Sequence, residues 1–285
     1  MADKWTAWLV YDRQGAKRNG DYIRMHKEIG AKFGFDFKLK IIEEIYPRKM
    51  FSTDTIMLNP DFAIVRTIQP DFTKALEGRH VPVFNNAFVS EICNDKGRTI
   101  HYVSKHTDIP IVPTERFSNI DLTKEMLNHY PNHVIKAVDG HGGRQVFATW
   151  EPYERIVDGI GESDFVLQPK IEGPGKDVRF YVVGDEIVGA VERTAKEGFR
   201  ANYSLGADVC TYIPTKKDIQ YVKELCRLFS FGLVGVDFLV RRDGRLLLNE
   251  IEDVVGARML YRCNPDAGLL ERYFAFIRDK LLREG

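Results

Sequence analysis

Apolar residues recur along this chain with two periods, and each change of period marks an element. The unbroken apolar run 5–11 (WTAWLVY) predicts a strand, closed by Asp12 and a polar turn. Over residues 21–33 the spacing becomes helical: Tyr22, Met25, Ile29 and Phe33 share a face, and Gly34 is a natural stop. Residues 37–42, 62–67 and 81–85 read as three further strands, so strands and helical stretches alternate as in a parallel α/β layer.

Residues 90–106 have helical character and end at Thr107-Asp108-Ile109-Pro110, after which 111–114 begins a strand. The strand 133–138 runs into a glycine-rich segment, DGHGGR, before β-pattern resumes at 145–149. Residues 165–171 (FVLQPKI) are extended, and 177–183 pairs with 186–191 across Gly184-Asp185, an accepted two-residue turn. An amphipathic helix is predicted over 217–229, with Ile219, Val222, Leu225, Cys226 and Phe229 inward, and a last helix over 268–282.

One ribbon interrupts its apolar pattern with acids. In GVDFLVRRDGRLLLNEIEDVVG, two apolar runs flank Asp243-Gly244, a two-residue turn signal. Counting outward from that turn sets Arg242 against Arg245, Val240 against Leu247, Phe238 against Asn249, and Asp237 against Glu250. Side chains alternate, so Glu252 shares the face of Asp237 and Glu250. Like charges so placed repel, and something positive is expected among them. Either Lys and Arg supply it, or the all-oxygen set holds a hard cation, Mg²⁺ or Mn²⁺.

Composition narrows the partners. Hydrophobic residues are 44% and charged residues 29% of 285, ample for packed cores in about two domains. Lys plus Arg and Asp plus Glu both total 41, so no charge excess argues for nucleic acid or an anionic membrane. Cys93, Cys210, Cys226 and Cys263 are scattered with no CxxC, which fits reduced thiols. The charged amino terminus and the lack of a spanning apolar run make a cytoplasmic protein the expectation.

Other candidates are ambiguous on residues alone. No GxGxxG follows the first strand, and DGHGGR lacks the GK[ST] of a Walker loop. Its glycines could still close around phosphate with Lys136 at the base, or form a flexible turn. Arg66, at a strand end, faces either a ligand crevice or a surface ion pair. Arg179, Arg193, Lys196 and Arg200 hold an anionic substrate or form a solvated basic edge. No Ser-His or Cys-His pair suggests a side-chain nucleophile.

In order, Lys96 near a helix start, VIKAVDGHGGRQV, FVLQPKI, GPGKDVRFYVVG, RTAKEGFRAN, GVDFL and NEIE resemble the ATP-grasp superfamily. The likeness spans residues 94–259 and is strongest to RimK-like carboxylate–amine ligases and glutathione synthetase. It implies an α/β (α+β) chain with the ATP-grasp fold: an N-terminal parallel α/β pre-ATP-grasp layer (1–92), a small central lid subdomain (93–166) and a C-terminal antiparallel-sheet lobe with the metal site (167–285). By the same resemblance Lys96 and Lys136 bind nucleotide phosphates under a lid loop containing Gly140, Gly142 and Gly143. Gln168, Lys170 and Ile171 form the hinge at the adenine, Asp177 lies near the ribose, and Asp237, Glu250 and Glu252 bind Mg²⁺ or Mn²⁺. Arg179 and Arg200, with Asn202, hold the acceptor carboxylate and the transferring phosphoryl group.

The implied activity is ATP-dependent amide formation through an acylphosphate, joining a small-molecule or peptide carboxylate to an amine, with no nucleic-acid or membrane partner. Dimers and tetramers among the lookalikes admit a homo-oligomer. A phosphotransferase using the same pocket and a non-catalytic nucleotide-binding protein are the rival readings. Two departures stand out: relatives carry Glu-x-Asn where this chain has Glu250-Ile251-Glu252, and residues 253–258 lack the expected Ser-Pro-Gly-like turn.

Overall fold

In the structure, a computed structural model that describes residues 4–47, 59–140, 142–143, 145–195 and 207–284, the first apolar run is β1 (Trp5–Tyr11). It is the middle strand of a parallel sheet, order β2-β1-β3, with β2 (Phe35–Ile41) and β3 (Phe62–Val65). Both faces are covered, which is why β1 shows no polar alternation. Ala7, Leu9 and Tyr11 enter a core shared with Ile23 and Phe274, while Trp8 and Val10 face Ile42, Phe72 and Leu76. The predicted first helix is Gly20–Lys32, stopped by Gly34 at φ +83°, a conformation glycine adopts without strain.

The expected fourth strand over 81–85 is reduced to one bridge, Val83 beside Ala63. Asn86 ends it by capping the helix Ala87–Cys93 through the amide of Val89. Likewise the helical stretch 90–106 is two helices, broken where Asp95 caps Lys96–His106 by accepting from the Arg98 amide. The strand expected from residue 111 is reduced there to one parallel bridge, Ile111 beside Leu248, and a regular strand forms later, as β4 (Glu115–Phe117).

Four antiparallel strands, in the order β4-β7-β5-β6, form a second sheet from β4, β5 (His133–Ala137), β6 (Val146–Ala148) and β7 (Phe165–Pro169). It has its own core, around Ile135, Phe147, Ile156 and Phe165. The helix Tyr153–Ile160 packs there only because residue 159 is glycine: a Cβ would come within 2.0 Å of Phe147 Cζ.

The third sheet, order β10-β9-β8-β11-β12, is antiparallel: β8 (Lys176–Val183), β9 (Glu186–Thr194), β10 (Asp208–Thr211), β11 (Leu233–Val240) and β12 (Leu246–Glu252). One face is apolar along its length, with Val178, Phe180, Val182, Val236, Phe238 and Ile251 packed under Val89, Ile100 and Val222. On the other face Tyr181, Val183, Val191 and Leu233 join the core of the first sheet, together with the helix Leu269–Glu284. Farther along that same face the register brings Asp177, Arg179, Arg193, Asp237, Glu250 and Glu252 instead. The apolar-to-charged switch on one sheet face creates the site. No helix among the described residues is long and apolar enough to cross a membrane.

Candidate functional site

Asp237 does stand opposite Glu250, and Gly235 opposite Glu252, but the rest of the counted register is displaced by one. Val240 pairs with Leu246 and Phe238 with Leu248. The turn is a residue longer than expected: the Arg241 amide donates to Arg245 O at 3.0 Å, enclosing Arg242, Asp243 and Gly244. Gly244 takes φ +78°, the left-handed position that closes three-residue loops. A β-bulge between Asp237 and Phe238 then leaves Asn249 unpaired and restores the acid pair. The two offsets cancel, and the bulge turns Asn249 as well as Glu250 toward one crevice.

That crevice, about 250 Å³, lies between the second and third sheets. The second sheet contributes Lys136 on β5, Gly140, Gly142 and Gly143 after it, and Gln168, Lys170 and Ile171 at the end of β7. From the third come Asp177, Arg193, Asn249 and Glu250, and Lys96 reaches in from its helix. Every nucleotide-site residue named from the sequence thus lines one cavity. Gly142 and Gly143 sit at φ +67° and +74°, so the loop's shape depends on glycine there.

Two lysine charges are fixed within the crevice. Lys96 Nζ donates to Gly140 O at 2.5 Å and lies 3.3 Å from Glu250 Oε2; Lys136 Nζ donates to Asn249 Oδ1 at 2.9 Å. Burial pushes Lys136 down to about 8, with Lys96 adding to the effect and Glu250 opposing it. Glu250 is held below its usual value: burial would raise it, but Lys96 and Lys136 outweigh that.

Behind the lysines lies a buried lattice of acids and arginines. Arg179 clasps Asp237 through Nε to Oδ1 at 2.7 Å and Nη2 to Oδ2 at 2.6 Å, and its Nη1 is 2.5 Å from Glu252 Oε2. Arg193 donates through Nη2 to Asp237 at 2.6 Å and through Nε to Asp177. Asp237 is 1% exposed. Burial would raise its pKa, yet the two guanidiniums hold it well below the ordinary range. Asp177 is pushed up to about 6, chiefly by burial, despite Arg193.

Arg179 is therefore an ion-pair hub one layer below the crevice, whereas Arg193 lines it directly. Arg200 and Asn202, the other two residues expected to hold the acceptor, and Lys196, lie outside the described residues. Arg193's role was underrated because its strand position alone did not distinguish a lined cavity from a solvated edge. Asn249 was missed because unbulged counting turns it away. Arg66 matches neither half of its expectation as a surface ion pair: it is 9% exposed and, among the described residues, has no ion pair.

The donor chemistry suits a hard cation, since Asn249, Glu250 and Glu252 offer oxygens on a rigid ribbon. As placed here, both Asp237 oxygens already accept from arginine. Among the described residues no group of three or more His, Cys, Asp or Glu side chains is positioned to hold a metal. Glu252 Oε2 is engaged as well, 2.5 Å from Arg179 Nη1, so a cation would have to displace that guanidinium.

Asp253, in the segment that departs from the resembled pattern, has a structural partner set. It accepts from Asn85 Nδ2 at 2.6 Å and Asn94 Nδ2 at 3.0 Å, tying the end of β12 to the residues before Lys96.

Known proteins share this architecture. The chain aligns with the uncharacterized protein MG011 of Mycoplasma genitalium at 23% identity, over 86% of this chain and 91% of that one. It is 32% identical to a probable alpha-L-glutamate ligase of Xanthomonas axonopodis pv. citri over half of each chain (50% and 50%). Among solved structures, D-cycloserine synthetase DcsG superposes with a TM-score of 0.71 at 13% identity, covering 97% of this chain and 99% of that one. The D-alanine–D-alanine ligase of Bacillus anthracis complexed with ATP gives 0.71 at 14% identity, over 99% and 100%. At such identities the likeness establishes the fold, the ATP-grasp fold. The description of the RimK-like ATP-grasp domain matches residues 93–269, more than half of the chain, and the protein belongs to that family.

Proposed function

We propose that this chain is an ATP-dependent carboxylate–amine ligase that forms an amide through an acylphosphate, releasing ADP and phosphate. The observation that carries the reading is the convergence of Lys96, Lys136, the glycine loop and Glu250 on one crevice, with arginines directly behind. Two lysines fixed by hydrogen bonds are ready to meet phosphate oxygens, and glycine amides at Gly142 and Gly143 can approach them closely. Gln168 supports the hinge by donating to Thr114 Oγ1 at 2.9 Å, leaving its own buried Oε1 free to accept from adenine.

The charges named in the site balance, with Asp177, Asp237, Glu250 and Glu252 against Lys96, Lys136, Arg179 and Arg193. A nucleoside triphosphate adds negative charge, which argues for a metal counter-ion rather than lysines alone. Asp237, Glu250 and Glu252 would hold Mg²⁺ or Mn²⁺ once Arg179 yields; the ion supplies Lewis-acid neutralisation of the phosphates. The substrate carboxylate oxygen then bonds to the γ-phosphorus as the bond to the β-phosphate oxygen breaks and ADP leaves. An amine attacks the acyl carbon, loses its proton and expels phosphate. Arg193 and Arg179, with Arg200 and Asn202, would spread charge in both steps.

The test is ADP release with Mg²⁺ over pools of amino acids and short acidic peptides, glutamate first because a partial relative is named for it. Amine-dependent release with an amide product supports the ligase. A phosphorylated product without amine replaces it with a phosphotransferase, and nucleotide binding with no release replaces it with a non-catalytic binder.

A further inference from the structure

A second polar cluster lies apart from the nucleotide crevice, where β1 and β3 end. In the order β2-β1-β3 the chain leaves β1 toward one side while β3 lies on the other, and in open parallel sheets ligands bind at the carboxyl ends beside such a switch point. Tyr11 is the last residue of β1 and Arg66 directly follows β3, its amide donating to Val10 O at 2.7 Å. The guanidinium is held over the Tyr22 ring, 5.3 Å from its centroid, and donates through Nη2 to Val255 O at 2.7 Å.

What remains is unpaired. Arg66 Nε, Tyr22 Oη and His26 Nε2 are buried with no hydrogen-bond partner, and Tyr11 Oη, which accepts from the guanidinium, has no acceptor for its own proton. Unsatisfied polar groups gathered around one buried cation are costly in a structural core, where such groups are normally satisfied. His26, packed against Tyr22, does not supply a second charge: burial, with Arg66 beside it, lowers it to about 3. The cluster thus has one positive charge and planar N–H and O–H donors, which match one carboxylate better than a phosphate dianion.

The geometry points to Arg66, Tyr11 and Tyr22 as a subsite for a carboxylate of the substrate, remote from the carboxyl or amine that reacts. The cluster abuts the arginine lattice behind the crevice: Val255, whose carbonyl Arg66 holds, packs with Arg179 against Gly235, where a Cβ would lie 2.7 Å from Val255 Cγ2 and 3.3 Å from Arg179 Cδ. The substrate class is then a dicarboxylic acid or an amino acid with its free carboxylate. That assignment rests on the ligase reading; carboxylate binding itself does not.

Calorimetric titration of the full chain with malonate, succinate, glutarate and L-glutamate, and with inorganic phosphate, tests it. At least one carboxylate should bind, and any phosphate that binds, at the nucleotide crevice, should do so equally in the Arg66 variant. Arg66→Gln should weaken carboxylate binding roughly 10- to 100-fold, and Tyr22→Phe several-fold. Tyr22→Phe should melt at the wild-type temperature, because its hydroxyl bonds nothing in the free protein. Affinity for a non-hydrolysable ATP analogue should not change in either. No carboxylate binding, equal carboxylate binding by the variants, or a loss of phosphate binding in Arg66→Gln as large as the loss of carboxylate binding would overturn the subsite. Carboxylate binding without ADP release would sink the ligase and leave the subsite; ADP release with an unchanged substrate KM in Arg66→Gln would do the reverse.

Discussion

Lys136→Met should make the free protein more stable and the nucleotide complex weaker. Burial moves the ammonium from 10.5 to about 8 even with Glu250 nearby, a penalty of about 3 kcal/mol at ~1.4 kcal/mol per unit. Methionine keeps the length of the stem and removes the charge. Against that gain stands the bond to Asn249 Oδ1, whose loss costs about 1–2 kcal/mol. The net is a variant about 1–2 kcal/mol more stable at pH 7. The pH dependence follows from the folded pKa lying below the unfolded one. Between about 8 and 10.5 the unfolded chain binds more protons, so wild-type stability gains from this group as pH rises and loses it as pH falls through about 8. The methionine variant lacks this slope, and its advantage should disappear near pH 10, where the wild-type lysine folds neutral. Urea melts of both proteins at pH 7 and pH 10 give the two differences, and titration with a non-hydrolysable ATP analogue should show a loss of roughly 10- to 100-fold. A variant less stable than wild type at pH 7, with a deficit constant across pH and nucleotide affinity within twofold, would refute the reasoning.

Glu250→Gln should abolish ADP release while leaving the melting temperature within a few degrees, since Lys96 keeps its bond to Gly140 O; retained turnover would remove Glu250 from the proposed metal set. Arg179→Lys should cost about 2 kcal/mol or more in denaturant melts, because a single ammonium cannot span both Asp237 oxygens and Glu252. In Gly235→Ala the new methyl meets Val255 and Arg179, so stability should fall by about 1–3 kcal/mol; a neutral result would mean Arg179 moves freely. Gly143→Ala strains a residue at φ +74° and should weaken binding of the ATP analogue more than it lowers the melting temperature.

Elements with a strong period were legible in the sequence. β1 ends where its apolar run ends, and the turn between β8 and β9 is the expected Gly184-Asp185, with Gly184 at φ +59°. Short edge pieces were not: β10 has four residues, mostly exposed, and its pairing to β9 gives no apolar signal. Nor were the helices Pro70–Glu77 and Tyr153–Ile160, which are short and take their stability from packing on neighbouring sheets. The acid pair Asp237 and Glu250 came out right through two compensating displacements, which side-chain alternation cannot reveal because each shifts the register by one. The arginine lattice around Asp237 was also hidden, since Arg179 and Arg193 reach it across separate strands.

The division of the cores has its own consequence for how the molecule melts. The first sheet, the lower part of the third and the terminal helix Leu269–Glu284 bury their side chains in one continuous apolar mass, whereas the β4-β7-β5-β6 sheet keeps a small private one. Cooperative unfolding follows shared burial rather than chain order, so the ends of the polypeptide rise and fall together while the middle can open alone. Loosening confined to that middle would expose the glycine loop and release Lys136 while the ribbon bearing the acids stayed folded.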